Sequence, residues 1–322
     1  MPPKRAPAVA VDPPEASPGF DPKSTLSETL STLSQYAMSY PLVNTIANDA
    51  KVVYSQLFKP VKGGTHEERL ESSYGPEAHA FDQFRARFLH AREPMLQAVA
   101  RRLMDQRAVW ENQPVRKGLM GKPKPKEEWE GLVWVDLGGG TGSNVEMMAQ
   151  LMPLDLFKHI YVVDLAPGAV EVARRRFEGL GYGNVTVVHA DATVFSLPPG
   201  EEADAVTFSY SLSMVPACYA AVDNGLELLK TGGLLAVADF GTSKKYDNPE
   251  RQHGYLYRTF WRAVFEVDGI NLSPEVRQYV EHRTTVLEGQ SGAGTIPYMP
   301  PFVTAPWYIH IGLKPSTAGE EE

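Results

Sequence analysis

The feature that most constrains the fold of this chain is an alternation of short apolar runs and helical segments between residues 131 and 240. β-Branched runs such as LVWVDL and IYVVDL are each followed by a segment with helical periodicity, such as SNVEMMAQLM and GAVEVARRRFEGLG. Strands that alternate with helices form βαβ units, in which the strands are parallel and the helices cover the sheet. The sequence therefore predicts an α/β fold with a Rossmann-like sheet, helices on both faces and a ligand at the carboxyl ends of the strands.

The rest of the chain is predicted to extend this core at both ends. The predicted regions are a proline-rich disordered arm at 1–28, an N-terminal helical cap at 29–110, an exposed loop at 111–130, the core with substrate-side additions at 131–315, and a tail at 316–322.

Helical spacing of apolar residues divides the cap into two pairs of helices. The first pair lies at 33–58, and the second at 66–110 is predicted to split near Pro94. The first pair is expected either to pack on the core or to lie in a membrane interface, because its apolar residues suit both.

Composition excludes several classes of protein. A net charge of −8 argues against a dedicated nucleic-acid partner, which normally has a basic footprint. Cys218 is the only cysteine, so no intramolecular disulfide or cysteine zinc site can form, and an intracellular location, cytoplasmic or attached to an internal membrane, is expected. The histidines lack metal-ligand spacing, so no metal is predicted. No apolar run is long enough to span a bilayer, so any membrane contact is expected to be peripheral.

A glycine-rich loop, DLGGGTG, follows the first predicted strand, and its glycines Gly138, Gly140 and Gly142 would let a ligand approach the backbone. A dinucleotide site would prefer G-x-G-x-x-G, but the sixth position counted from Gly138 is Ser143. Asp136 precedes the loop, where it would repel a pyrophosphate but attract the cationic methionine end of S-adenosylmethionine (SAM). The loop therefore favours SAM as the cofactor.

Acidic residues close the next two predicted strands. Asp164, followed by Leu165, lies where a carboxylate accepts hydrogen bonds from ribose hydroxyls. Asp191 is placed to accept from the adenine amino group, and Ala192 to offer its backbone N–H. Ser209 ends the fourth strand and is expected to border the methyl group. Acids at consecutive strand ends after a glycine loop indicate a SAM site.

This order of elements resembles the class I SAM-dependent methyltransferase family over residues 131–240. The flanks are similar to the methyltransferase half of betaine lipid synthase over residues 66–315. The segments that carry this closer resemblance are YGPEAHAFDQFRARFLHAR at 74–92, WVDLGGGT at 134–141, FWR at 260–262, LSPE at 272–275, GTIPY at 294–298 and APWY at 305–308.

The resemblance implies an N-methyltransferase that converts the amino group of diacylglyceryl-homoserine to the trimethylated betaine lipid. The chain lacks the half of that enzyme that attaches the aminocarboxypropyl group, so the resemblance implies a separate transferase as a partner. A peripheral membrane contact is also implied, because the acceptor is a lipid.

Aromatic residues are expected to hold the methylated amine, because ring faces bind alkylammonium ions. Tyr74, Tyr210 and Tyr298 are predicted catalytic residues, and Tyr255 and Trp307 are predicted to bind the substrate. Core packing is the alternative for each of them.

A cluster of basic residues, Arg85, Arg87, His90 and Arg92, indicates either a solvated face or a site for an anionic group. On the second interpretation, Arg92 binds the substrate.

Two other functions remain open. One is methylation of a soluble small-molecule amine or another nucleophile. The other is a non-catalytic subunit that binds SAM or has lost it. A nicotinamide dehydrogenase fits the glycine loop less well.

Overall fold

A computed structural model describes residues 63–74, 87–112, 129–267 and 269–316. The arm, the helix pair predicted at 33–58 and most of the predicted loop and tail lie outside the described residues. The described part begins with helices α1 (His66–Tyr74) and α2 (Arg92–Glu111).

The predicted division of residues 66–110 into two helices near Pro94 is confirmed, because irregular residues at 89–91 precede helix α2. Helix α2 begins at Arg92, so Pro94 lies in its first turn, where the missing backbone N–H has no helical acceptor to lose. The helix then buries Met95, Leu96 and Leu103 completely, which fixes it against the core.

The predicted alternation is confirmed after the second helix. The elements in chain order are β1 (Leu132–Leu137), α3 (Ser143–Leu151), β2 (Phe157–Asp164), α4 (Pro167–Leu180), β3 (Val185–His189), β4 (Ala203–Ser209), α5 (Cys218–Leu228) and β5 (Leu229–Phe240). Strands β1 and β4 are buried along their whole length, as expected for strands covered on both faces.

The last third of the chain adds helices α6 (Tyr255–Val267) and α7 (Pro274–Arg283) and strands β6 (Thr285–Thr295) and β7 (Thr304–Leu313). Within the described residues one seven-stranded sheet forms, in the order β3-β2-β1-β4-β5-β7-β6. The first five strands are parallel, but β7 runs antiparallel to both β5 and β6. The alternation in 131–240 indicated only the parallel part, because this pair of strands lies outside it.

The start of β5 differs in detail from the sequence interpretation. A Thr-Gly-Gly sequence predicts a turn into a strand, but Thr231, Gly232 and Gly233 form an irregularity within β5, between Leu229 and Leu234. Gly232 has a φ of 74°, which a glycine adopts without strain. The strand therefore begins at Leu229, before these glycines, and not after them.

Two apolar clusters cover the two faces of the sheet. One includes α2 and the inner residues of α6, and the other includes α5 and the buried residues of α7. Cys218 is buried at the start of α5, as expected for a small apolar residue. Helices on both faces leave the carboxyl ends of the parallel strands as the open edge of the sheet.

Candidate functional site

A cavity of about 240 Å³ lies where the carboxyl ends of β1 to β4 meet. The predicted residues that line it are Gly138, Gly140, Asp164, Leu165, Asp191, Ala192, Ser209, Tyr210 and Arg92. Residues without a sequence signal for this site complete the lining, among them His66, Leu70 and Asn144.

The glycine loop forms one wall, and its backbone conformation requires glycine. Gly138, Gly140 and Gly142 have φ values of 72°, 57° and 79°, in the region that side chains disfavour. The N–H of Gly138 donates to the carbonyl oxygen of Val163 at 2.8 Å, which holds the loop against the end of β2. A Cβ on Gly138 would lie 2.3 Å from that of Ser211, and one on Gly142 would lie 2.4 Å from the ring of Phe177.

Asp136 lies beneath this loop and does not line the cavity. Its side chain is fully buried, and its two oxygens accept from the Thr207 hydroxyl at 2.6 Å and the Asn144 amide at 2.8 Å. Burial raises its pKa to about 6, although these hydrogen bonds oppose the shift. The predicted direct attraction between Asp136 and the methionine end of the cofactor is therefore wrong, because the carboxyl group does not reach the cavity. Asp136 instead fixes Asn144, which does line the cavity.

Asp164 does face the cavity. One carboxylate oxygen accepts from the N–H of Gly140 at 2.8 Å, and the other accepts from the N–H of Ala166 at 2.9 Å. Because this carboxylate lines the cavity, it is placed to accept hydrogen bonds from the hydroxyls of a ribose. The residue thus joins the glycine loop to the predicted ribose site.

Asp191 lies at the far end of the same cavity, next to Ala192. One oxygen of Asp191 accepts from both the N–H and the hydroxyl of Thr193, each at 2.8 Å. This turn fixes the carboxylate and leaves its other oxygen for an amino group. The position agrees with the predicted adenine site.

Helix α1 covers this end of the cavity, which no sequence signal indicated. Glu71 accepts from the N–H of Gly168 at 2.8 Å, at the start of α4. Glu67 lies 3.1 Å from His189, and His66 faces the cavity. Burial lowers the pKa of His66, while Asp191 opposes the shift, so the imidazole is neutral near pH 7. A polar helix that contacts both the start of α4 and the end of β3 is a tertiary feature.

Tyr210 forms the wall beyond the end of β4. Its φ of 53° is unusual for a residue with a side chain, and its hydroxyl accepts from the N–H of Ala91 at 3.0 Å. Burial raises the pKa of this phenol well above its ordinary value, so the hydroxyl stays protonated. Arg92 lies nearby and donates to the hydroxyl of Ser143 at 3.1 Å.

Besides Asp136, the predicted residues Gly142, Tyr298, Tyr255 and Trp307 lie outside the cavity lining. Tyr298 is 59% exposed, and its hydroxyl lies 3.3 Å from the guanidinium of Arg87. Tyr255 is 72% exposed at the start of α6, and Trp307 packs on Gly292 within the β6–β7 pair. The side chain of Tyr74 lies outside the described residues, although its backbone ends α1. Their roles toward the substrate stay predictions.

The described residues contain no group of three or more His, Cys, Asp or Glu side chains that could hold a metal ion. In the same part of the chain, no helix combines the length and apolar character needed to cross a bilayer.

Comparison with known families identifies the central domain. Residues 135–233 match the family described as "Methyltransferase domain". This range contains the glycine loop, Asp164, Asp191 and Tyr210, and it supplies most of the residues that line the cavity. The chain therefore contains a class I methyltransferase domain with SAM as its cofactor, and the cavity fits that molecule through its side-chain-free loop and its acids.

Curated relatives resemble the same region. The chain is 36% identical over 109 residues to a demethylmenaquinone methyltransferase of Clavibacter sepedonicus, which covers 34% of this chain and 41% of that protein. It is 30% identical over 134 residues to a protein-L-isoaspartate O-methyltransferase of Ignicoccus hospitalis, with coverage of 41% and 59%. The chain thus matches between about two fifths and three fifths of the length of these relatives.

Among solved structures, a methyltransferase-like protein of Bacillus halodurans aligns with 58% of this chain and 94% of its own, at 16% identity and a TM-score of 0.46.

Proposed function

We propose that this chain methylates the amino group of a lipid of the diacylglyceryl-homoserine type, with SAM as the methyl donor. When bound, SAM supplies an electrophilic methyl group, and the carbon–sulfur bond breaks as the carbon–nitrogen bond to the acceptor forms. The glycine loop, Asp164 and Asp191 would hold the cofactor. Such an acceptor would come from a separate enzyme that attaches an aminocarboxypropyl group to a glycerolipid.

The observation that carries the lipid proposal is the convergence of the segments similar to betaine lipid synthase. His90 bonds to the carbonyl oxygen of Thr295 at 2.8 Å, and the ring of Phe88 lies 5.1 Å from that of Phe240. These contacts join the segment before α2 to the β6–β7 pair and to the end of β5. Segments far apart in sequence thus form one structure beside the cavity.

A second set of contacts connects α6 to this structure. Arg262 donates to the hydroxyl of Thr242 at 3.1 Å, and that hydroxyl donates to the carbonyl oxygen of Leu272 at 3.0 Å. Tyr257 donates to the carbonyl oxygen of Thr304 at 2.8 Å. The segments FWR, LSPE and APWY therefore belong to one hydrogen-bonded region, which supports a common role in recognising the acceptor.

Tyr210 has a defined role in this proposal. The raised pKa of its phenol keeps the hydroxyl protonated, so Tyr210 is not the base that takes the proton of the acceptor amine. The ring of Tyr210 can instead face the alkylammonium, an attraction of about 0.5–2 kcal/mol. We infer that Tyr210 positions the amine and stabilises its developing charge.

The decisive experiment supplies isotopically labelled SAM together with two acceptor pools. One pool is a detergent-dispersed total lipid extract, and the other is the water-soluble extract of the same cells. Label in a lipid whose mass increases by successive methyl groups would support the proposal. Label confined to a water-soluble amine would contradict it in favour of a small-molecule acceptor. Binding of SAM without label in either pool would favour a non-catalytic subunit.

A further inference from the structure

Helix α6 is apolar on two opposite sides, and the core covers only one of them. Trp261 and Phe265 face inward and are 5% and 6% exposed. Leu256, Phe260 and Val267, spaced by one and two helical turns, are 80%, 55% and 69% exposed. Exposed Ala263 continues this outer stripe. A helix that packs on a core normally presents polar residues to water. An exposed apolar stripe on such a helix therefore indicates an interaction site.

The turn between β6 and β7 extends this surface. Its sequence, IPYMPPFV at 296–303, contains no charged residue. Tyr298, Met299 and Phe302 are 59%, 51% and 84% exposed. The hydrogen bond from Tyr257 to Thr304 joins the first turn of α6 to the residues just after this turn. We call the exposed side chains of the stripe and the turn the outer apolar face.

Cations accompany the exposed aromatic rings around this face. Lys245 lies close to the start of α6, since its carbonyl oxygen accepts from the side chain of Gln252, and its ammonium is 5.0 Å from the ring centre of Tyr246, which is 85% exposed. The guanidinium of Arg87 lies 6.0 Å from the ring centre of Tyr298. The whole chain has a net charge of −8, so these pairs do not reflect a generally basic protein. Aromatic rings next to cations suit the boundary between anionic headgroups and acyl chains.

We propose that the outer apolar face docks on the surface of a lipid bilayer that contains anionic lipids. The stripe from Leu256 to Val267 is about 16 Å long, which suits a helix that lies in the interface plane. The uncharged turn would insert Phe302 and Met299, while Lys245 and Arg87 would contact headgroup phosphates. This inference concerns adhesion alone, so it does not require the proposed acceptor to be correct.

The packing behind the face links it to the cavity. Ring centres lie 5.5 Å apart between Trp261 and Phe265, 4.7 Å between Phe265 and Phe240, and 4.6 Å between Phe240 and Tyr210. This close-packed series connects the inner side of α6 to the cavity wall. Docking through the outer side would therefore hold the cavity at a fixed position relative to the membrane.

The test measures co-sedimentation of the full chain with vesicles of phosphatidylcholine, with and without phosphatidylglycerol. The wild-type protein should bind reversibly, and more tightly when phosphatidylglycerol is present. The triple variant Leu256→Ser, Phe260→Ser, Phe302→Ser should bind about tenfold or more weakly, because three large apolar side chains leave the interface. Affinity for SAM, measured by calorimetry, should be unchanged because none of the three lines the cavity.

A matched control replaces exposed apolar residues elsewhere, as Val109→Ser, Leu180→Ser, Val194→Ser. These positions are 65%, 46% and 74% exposed, so the control removes similar surface from other parts of the chain. Equal vesicle binding by the two triple variants, or no binding by the wild type, would overturn the proposal. A dimeric wild type would also overturn the proposal if the Leu256, Phe260, Phe302 variant were monomeric and the control variant dimeric. The outer apolar face would then be an interface between two copies of the chain. Failure of lipid methylation with intact vesicle binding would refute the proposed acceptor alone.

Discussion

The cofactor cavity and the outer apolar face use different means to prepare a surface for a ligand. The cavity exposes backbone and carboxylates, and hydrogen bonds such as that from Gly140 to Asp164 hold them in place. The outer face exposes rings and aliphatic side chains, and its turn has no charged group. A cavity of the first kind recognises one small molecule through directed hydrogen bonds. A surface of the second kind recognises a class of apolar environment without directional contacts.

The largest expected effect is a loss of SAM affinity when a single methyl group is added to the glycine loop. Gly138→Ala should weaken SAM binding about 30- to 100-fold, since the residue has a positive φ and its Cβ would overlap Ser211. Calorimetric titration with SAM would measure the change. Gly183→Ala is the matched control, because a Cβ there meets nothing within 4 Å. Equal affinities in the two variants would remove the loop from the cofactor site.

The next effect concerns charge in the same cavity. Asp164→Ala should weaken SAM binding about 10- to 100-fold, because two charge-assisted hydrogen bonds to the ribose are lost. Asp164→Asn retains one oxygen acceptor and should lie between Ala and the wild type. Vesicle binding should not change in either variant, which separates the two surfaces. An Ala variant with wild-type SAM affinity would mean that Asp164 only shapes the loop.

A smaller effect is expected at the cavity wall, at the inner end of the series of packed rings behind the outer apolar face. Tyr210→Ala should slow methylation several-fold to about thirtyfold at saturating SAM, while Tyr210→Phe keeps the ring and should be nearly as active as the wild type. Rates should be measured on the lipid acceptor, with SAM affinity determined alongside. If Phe is as damaging as Ala, the hydroxyl and its contact with Ala91 matter more than the ring.

Tyr298→Ala provides the comparison from the outer face. We expect a reduced rate with acceptor embedded in vesicles and an unchanged rate with detergent-dispersed acceptor, because Tyr298 is exposed and outside the cavity lining. Methylation assays with the two forms of acceptor would distinguish these results. An equal loss with both forms would place Tyr298 in direct contact with the amine.

A separate effect, on stability, concerns a buried carboxyl group close to Tyr210. Burial raises the pKa of Asp239 from its ordinary value of 3.8 to about 6. The folded state therefore binds more protons than the unfolded state between these values, so this group's contribution to stability falls as the pH rises through that window. The free energy of unfolding of the wild type, relative to Asp239→Asn, should rise by about 1–3 kcal/mol from pH 7 to pH 4. Denaturant titrations at several pH values would measure it, and a difference independent of pH would contradict the shift.

Several residues of the candidate site could not be predicted from sequence, and the reason is the same for each. Asn144 and Thr207 have no distinguishing sequence signal, and only the fold brings them to the two carboxyl oxygens of Asp136. Asp239 closes β5 as visibly as Asp164 closes β2, yet it turns inward to the N–H and hydroxyl of Ser213. The end of a strand fixes the backbone position of an acidic residue. The direction of its side chain depends on which hydrogen-bond donors the fold places nearby.

By itself the sequence determined the features that depend on local backbone requirements. Glycines with positive φ, apolar runs and acids at strand ends have local signatures, because strand and turn geometry repeat over a few residues. The tertiary structure alone decided that Asp136 lies beneath the loop, that α1 covers the cavity and that β7 runs antiparallel to β5. It also decided which apolar side of α6 stays exposed. Both sides carry the same kind of residue, and only the packing of distant segments distinguishes them.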